Sequence, residues 1–421
     1  MERVTIEGKR RLFGEIGLPS AKNAVLPLIA ATIISESDVI IKNCQPLTDV
    51  KKMIEIIDYL GGNARFEGGD LLINCKYAEE KTVGEKYTGE IRSSVFLLGP
   101  LLSRFGIARI SYPGGCEIGL RPIDLHIDGL KKLGVEISEK NGRIICDGSN
   151  MHAGEICLDF PSVGATENFI MASVRLSGTT VIRNAAKEPE ITDLAGFINV
   201  LGGKVYGAGT DTVCVVGVNR LMGGIYKPMP DRIVAGTIMA AVSACGGKVL
   251  LKNYCERDIK ATENKFRQTG MKITHGDKTA LVERQFRPKA VRKTETQPFP
   301  GFPTDMQPLF LSALCFAGGT SVMVENLFES RYRYTRQLIK TGADITVKDR
   351  VAIIRGKPAL KAADMAAEDL RGGAALIVAA LGAEGRSTVS GMRHVERGYY
   401  EIDKIFTDLG ANIRKDDDSP Q

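Results

Sequence analysis

No Cys-x-x-Cys pair occurs among the nine cysteines of this 421-residue chain. An odd number of thiols scattered singly argues against a disulfide framework and for a reducing compartment. Histidine is scarce too: His126, His152, His275 and His394 stand at no ligand spacing from one another, so no metal site and no cofactor is expected. The strongest early apolar run, Asn23 to Ile34, carries Pro27 and falls well short of the ~20 residues that cross a bilayer. The N-terminal MERVTIEGKRRLFG places charges where a secretory signal needs an apolar core. A cytoplasmic protein with no membrane partner is expected. Charge of one sign is not in excess either. With 56 basic and 50 acidic residues the formal charge is +6, too small to argue for nucleic acid but suited to anionic small molecules. No obligate protein partner is evident.

What the chain does have is a repeat. A composition that is 43% hydrophobic and 25% charged suits a soluble globular protein, and the length suggests roughly two or three domains. Leu60-Gly61-Gly62, Leu133-Gly134, Leu201-Gly202-Gly203, Thr269-Gly270, Thr341-Gly342 and Leu409-Gly410 recur every 68 to 73 residues. Each closes a helix-like run, where glycine supplies a left-handed C-cap. The order of signals is constant: apolar helix, turn, β-branched strand, loop, second helix, Gly motif, two short strands. In the first copy these are Asn23 to Ser35, Val39 to Lys42, Thr48 to Tyr59, and strands near Asn63 to Phe66 and Leu71 to Asn74. The third matches at Thr166 to Leu176, Thr179 to Arg183, Glu190 to Val200 and Lys204 to Val216. The first helices are apolar nearly all round, which means burial; the second are amphipathic and belong outside. The fold class is α/β. Six units most simply make two lobes of three, because a continuous solenoid would want distinct capping repeats. The break is expected near Lys227-Pro228-Met229-Pro230, and Arg3 to Glu7 with Arg11 to Ile16 form a spare strand pair able to complete either lobe.

Buried helices that start at equivalent places bring their N-termini to one face. Those starts read Ser20-Ala21-Lys22-Asn23, Glu90-Ile91-Arg92-Ser93, Ser162-Val163-Gly164, Pro230-Asp231-Arg232, Pro303-Thr304-Asp305 and Asp369-Leu370-Arg371. Ser162 and Asp231 serve equally as helix caps or as site residues. Lys22, Arg92, Arg232 and Arg371 are not explained as caps, since the helix dipole disfavours cations there, and their recurrence points to anion binding. The loop before the second helix carries Asp49, Pro113-Gly114-Gly115-Cys116 with Arg121, Glu188 with Glu190, Asp258, Arg331 with Arg333, and Arg397. A thiol after two glycines and close to an arginine has the setting of a reactive cysteine. The other eight cysteines read as core or inert, and the basic run Arg284 to Lys293 as a solvated connection. Basic inner faces, a cysteine loop and scattered carboxylates together suggest a closing cleft for a multiply anionic substrate.

Ser20-Ala21-Lys22-Asn23-Ala24, Pro113-Gly114-Gly115-Cys116 running into Gly119-Leu120-Arg121-Pro122-Ile123-Asp124, Ser162-Val163-Gly164-Ala165-Thr166, Glu188-Pro189-Glu190, Pro230-Asp231-Arg232, Phe302-Pro303-Thr304-Asp305-Met306-Gln307 and Arg397-Gly398-Tyr399 together resemble the UDP-N-acetylglucosamine 1-carboxyvinyltransferases. These are enolpyruvyl transferases, and the resemblance runs the whole chain with motifs in family order. It implies a two-lobed inside-out α/β barrel, with residues 22–229 in one lobe and residues 1–21 plus 230–421 in the other. It also implies transfer of the enolpyruvyl group of phosphoenolpyruvate to UDP-N-acetylglucosamine, with phosphate released, in peptidoglycan precursor synthesis. By resemblance Cys116 is the proton donor and the residue that fosfomycin alkylates, and Asp305 contacts the 3'-hydroxyl as candidate base. Lys22, Arg121 and Arg397 look like the phosphate-side cations, with Asn23 beside them. Arg331 and Arg371 correspond to the residues that meet the phosphoenolpyruvate carboxylate. Arg92, Arg121, Pro122, Ile123, Asp124, Leu125, Ser162, Val163, Gly164, Asp305 and Leu327 correspond to nucleotide-sugar contacts. Asp49, Glu188, Glu190, Asp231 and Asp369 sit at family cleft positions. Thr48 and Phe160 depart from members that carry lysine there, and Phe328 to Tyr334 is more basic and aromatic than the family pattern. The rival readings are a shikimate 3-phosphate enolpyruvyl transferase and a non-catalytic nucleotide-sugar binding paralogue.

Overall fold

A computed structural model describes residues 2–114 and 123–416. These form two compact units, one of residues 20–114 with 123–229 and the other of residues 2–19 with 230–416. Cys116, Arg121 and Pro122 lie outside the described residues. Each unit holds three small sheets and three buried helices.

In the unit of residues 20–229 the buried helices are Lys22–Ala31, Leu98–Phe105 and Val163–Ser173. The third starts three residues earlier than its apolar run suggested because Ser162 caps it, Oγ accepting from the Ala165 amide at 3.4 Å. Three sheets accompany them, and the last strand, Gly224–Tyr226, returns to pair in parallel with Val39–Ile41 of the first.

In the other unit Arg232–Cys245, Gln307–Leu314 and Leu370–Gly382 pack against one another pairwise. Every residue of Leu370–Gly382 is buried, as expected of a helix apolar all round. The two N-terminal strands do not pair with each other. Arg3–Glu7 lies antiparallel between Arg386–Ser390 and Asn412–Asp416, with Val4 and Ile6 fully buried, Thr5 buried between them and the two end residues exposed. Leu12–Gly17 adds in parallel to the edge strand position beside Gly247–Lys252. Both therefore complete sheets of this unit.

The recurrent glycines end the second helices as their spacing predicted. Gly61, Gly134, Gly202, Gly270, Gly342 and Gly410 all have φ between +82° and +93°. The Gly61 amide donates to Asp58 O and the Gly62 amide to Ile57 O, the paired bonds of a Schellman motif, and the same pair recurs at Gly134, Gly202, Gly270 and Gly410.

The basic run Arg284 to Lys293 is largely exposed, at Gln285, Phe286, Arg287, Lys289, Arg292 and Lys293, as a solvated connection would be, but two of its cations are also anchored: Arg284 donates to Val242 O and Ala244 O, and Arg287 to Phe316 O, Ala317 O and Gly356 O. Apart from Gly356 O, which ends a strand, these carbonyls lie at and just beyond the C-termini of two buried helices, where positive charge is favoured. Of the eight cysteines read as core or inert, Cys157 is exposed. Cys44, Cys146 and Cys315 are buried, and burial pushes their thiols up to about 12.

Candidate active site

Asp305 lies in the 3-10 turn Thr304–Met306 that leads into Gln307–Leu314. Its two oxygens are taken by two arginines. Arg331 Nη2 donates to Oδ1 at 2.9 Å; Arg371 Nε and Nη2 donate to Oδ2 at 3.1 and 2.9 Å. Both arginines are 3% exposed, while the Asp305 side chain is 27% exposed. Burial alone would lower the Arg371 pKa, but the facing Asp305, with Tyr399 and Asp231, raises it above the ordinary guanidinium value.

The arginines are held from behind. Arg371 stands 5.6 Å from the Tyr399 ring centroid, and the Tyr399 hydroxyl meets Thr237 Oγ1 at 2.8 Å. Arg331 also donates to Thr304 O and lies 6.0 Å from the Phe328 ring. Two of their donors remain unspent: Arg331 Nε and Arg371 Nη1 are buried without a hydrogen-bond partner among the described residues. Buried guanidinium donors left over in this way fit an incoming anion with two or more oxygens. In the arrangement seen, Asp305 is a charge-compensated acceptor; an anion that drew an arginine away would uncover it.

Asp231, read as either a cap or a site residue, caps its helix, and so does Asp369. Asp231 Oδ1 accepts from the Ile233 and Val234 amides, and Asp369 Oδ1 from those of Arg371 and Gly372. Glu325 was missed. It is fully buried, and its carboxylate takes Thr296 Oγ1, Thr304 Oγ1 and the Leu327 and Phe328 amides, tying the Asp305 turn to the Leu327 loop. A lone glutamate at a strand end carries no sequence signal of this role. Arg397 is half-buried and electrostatically disfavours protonation of His394, after burial and Arg393.

In the other unit, Lys22 opens the Lys22–Ala31 helix, where the dipole disfavours a cation. Asp49 answers it, Oδ2 lying 2.7 Å from Lys22 Nζ with both side chains at least nine-tenths buried. Asn23 beside it is exposed. Arg92 heads the 3-10 segment Arg92–Leu97; Ile123 is buried, Asp124 opens the Asp124–Lys132 helix, and Leu125, Ser162, Val163 and Gly164 are half-buried. Thr48 and Phe160, where some relatives carry lysine, are both exposed. Glu167, also missed, is fully buried with neither carboxylate oxygen partnered among the described residues. Burial first, then Glu190 and Glu188, raises its pKa well above the usual carboxylate range.

Glu256, Glu263 and His275 bring three ligand-type atoms within 4.8 Å. The imidazole nitrogens face different carboxylates, Nε2 to Glu263 at 2.9 Å and Nδ1 to Glu256 at 3.1 Å, and Arg267 adds a cation 3.4 Å from Glu263. These contacts, with the Arg267–Glu263 ion pair, make one polar network. No helix among the described residues is long and apolar enough to cross a membrane.

Residues 6–406 match the family model described as EPSP synthase (3-phosphoshikimate 1-carboxyvinyltransferase). The chain is 45% identical over 413 residues to UDP-N-acetylglucosamine 1-carboxyvinyltransferase 2 of Caldanaerobacter subterraneus subsp. tengcongensis, covering 98% of this chain and 99% of that relative. It is 42% identical to UDP-N-acetylglucosamine 1-carboxyvinyltransferase 1 of Carboxydothermus hydrogenoformans, covering 99% and 98%. Among solved structures, the enolpyruvyl transferase NikO of Streptomyces tendae superposes with a TM-score of 0.88 at 23% identity over 99% of both chains. EPSP synthase of Acinetobacter baumannii superposes at 0.73 and 16% identity, over 99% of this chain and 100% of that one. At such identities these two speak for the fold alone.

Proposed function

The chain belongs to the enolpyruvyl transferase family, and from that premise we propose that it transfers the enolpyruvyl group of phosphoenolpyruvate to the 3'-hydroxyl of UDP-N-acetylglucosamine. Phosphate is the other product, and the reaction opens peptidoglycan precursor synthesis in the cytoplasm. The observation that carries this reading is the pair of buried arginines, Arg331 and Arg371, gripping Asp305 while keeping unspent donors. An α-carboxylate is the anion this fork recognises best.

The chemistry is addition followed by elimination. The sugar hydroxyl adds through oxygen to C2 of phosphoenolpyruvate, losing its proton, while C3 gains one. The tetrahedral adduct then loses a C3 proton and phosphate, restoring the double bond. Proton transfer at both centres calls for placed acids and bases, and charge at the phosphate and carboxylate calls for cations. Cys116 is assigned the C3 proton, and Asp305 the 3'-hydroxyl, its basicity returning as ligand oxygens compete for Arg331 and Arg371. Lys22, Arg121 and Arg397 face the phosphate, with Asn23 as a neutral donor. Arg92, Arg121 to Leu125, Ser162 to Gly164 and Leu327 hold the nucleotide sugar. The reading that shikimate 3-phosphate is the acceptor has less support, since the relatives at 42 to 45% identity carry the other name. Phosphate release from phosphoenolpyruvate, measured with each acceptor alone, separates the two. Release with UDP-N-acetylglucosamine that fosfomycin abolishes supports the proposal; release only with shikimate 3-phosphate replaces it.

A further inference from the structure

His126 is 5% exposed, sits in the first turns of the Asp124–Lys132 helix, and has no role in the assignment above. Its surroundings fix its chemistry. The fully buried Asn168, on the Val163–Ser173 helix, accepts from the Gly99 amide through Oδ1 at 2.8 Å. A backbone N–H can only donate, so the amide orientation of Asn168 is set and Nδ2 is its donor end. Nδ2 then serves Val95 O at 2.9 Å and His126 Nδ1 at 2.8 Å. His126 Nδ1 must therefore accept, which leaves the ring proton on Nε2. A second proton on Nδ1 would point at the Asn168 N–H. The ring is thus a neutral donor of fixed direction, and burial together with the Arg92 charge also pushes its pKa down, to about 3.

The donor faces a defined place. A Cβ at Gly164 would come 3.3 Å from His126 Cε1 and 3.5 Å from Nε2, so the ring edge bearing Nε2 lies against the start of the Val163–Ser173 helix. That start is the positive end of an eleven-residue helix, and Arg92 is close enough to bias the ring electrostatically. Nε2 makes no hydrogen bond among the described residues. Arg92, Ile123 and Gly164 are thereby gathered round one imidazole whose tautomer Asn168 dictates.

We infer that His126 is a further ligand-binding residue: with Asn168 locking its tautomer, it offers a neutral Nε2–H to a diphosphate oxygen of the nucleotide sugar. The inference rests on the proposed nucleotide-sugar site. A neutral donor suits this place, because it adds a directed hydrogen bond without adding another cation beside Arg92. It also gives the Asn168 amide, spent on three elements at once, a purpose beyond packing.

Two substitutions in the full-length protein separate the ring nitrogens. His126→Asn keeps an acceptor near the Nδ1 position for Asn168 and deletes the Nε2–H; His126→Gln reaches the Nε2 position with an amide N–H. Loss of one charge-assisted hydrogen bond is expected to raise KM for UDP-N-acetylglucosamine about tenfold in His126→Asn, with KM for phosphoenolpyruvate within about twofold. His126→Gln should return within about threefold of the parent. Asn168→Asp, whose carboxylate demands a proton on Nδ1, should raise the same KM while His126→Asn retains the parent's thermal midpoint. An unchanged nucleotide-sugar KM in His126→Asn, or an equal rise in both KM values, overturns the inference. A parent that releases no phosphate with UDP-N-acetylglucosamine would instead sink the proposed function.

Discussion

At the residue scale the chain shows how differently polar side chains announce themselves. Lys22, Asp305 and Arg371 were legible because each sits at the start of a helix, at a point where a charge is either disfavoured or conspicuous. Their partners were legible only in part. Asp49 stood in the right loop, but that it meets Lys22 at 2.7 Å is a fact of packing. Arg331, read as one of two loop arginines, is 3% exposed and bound to Asp305. Arg371→Lys keeps the charge but loses the two-nitrogen grip on Asp305 Oδ2, so kcat/KM for phosphoenolpyruvate should fall at least about a hundredfold, read by steady-state phosphate release. Glu167 tests the opposite case, a buried acid invisible to any pattern. Its folded pKa is raised, so above the ordinary carboxylate range the unfolded chain has released a proton that the fold retains. Stability is then lost as pH rises. Glu167→Gln cannot ionise, and its thermal midpoint relative to the parent should climb from about pH 5 to pH 8. A difference that stays flat with pH would show that Glu167 is not held protonated.

At the element scale, repeats and helix ends were the most readable features, because they are local. The Schellman glycines depend on a few consecutive residues and recur with the period. Gly202 has φ +93° and open space around the position of an added Cβ, so Gly202→Ala isolates the cost of left-handed backbone from steric clash. It should destabilise by about 1 kcal/mol in chemical unfolding with activity retained. Connections were the least readable. The Arg284 segment is largely exposed as read, but its anchoring to carbonyls at Val242, Ala244, Phe316 and Gly356, tens of residues away in sequence, left no local signal. Glu325 organises two site loops through four hydrogen bonds that no spacing rule anticipates. Asn168 and His126 belong to the same class: polar groups on helices whose meaning comes from what packs against them.

At the scale of the whole molecule, a period of 68 to 73 residues becomes two units, each with three sheets and three buried helices. Arg3–Glu7 and the segment from Arg11 read as strands, but which sheets they would join was open, since pairing with partners hundreds of residues away leaves no local trace. The glycines and arginine around Cys116 marked a candidate loop, and Cys116 and Arg121 lie outside the described residues. Family membership narrows the chemistry to enolpyruvyl transfer, and the acceptor is the central claim. The most direct measurement is phosphate release from phosphoenolpyruvate by the full-length protein, with and without UDP-N-acetylglucosamine. Release that requires the nucleotide sugar and yields its enolpyruvyl ether in equal amount is the predicted result; binding of the nucleotide sugar with no phosphate released would contradict it.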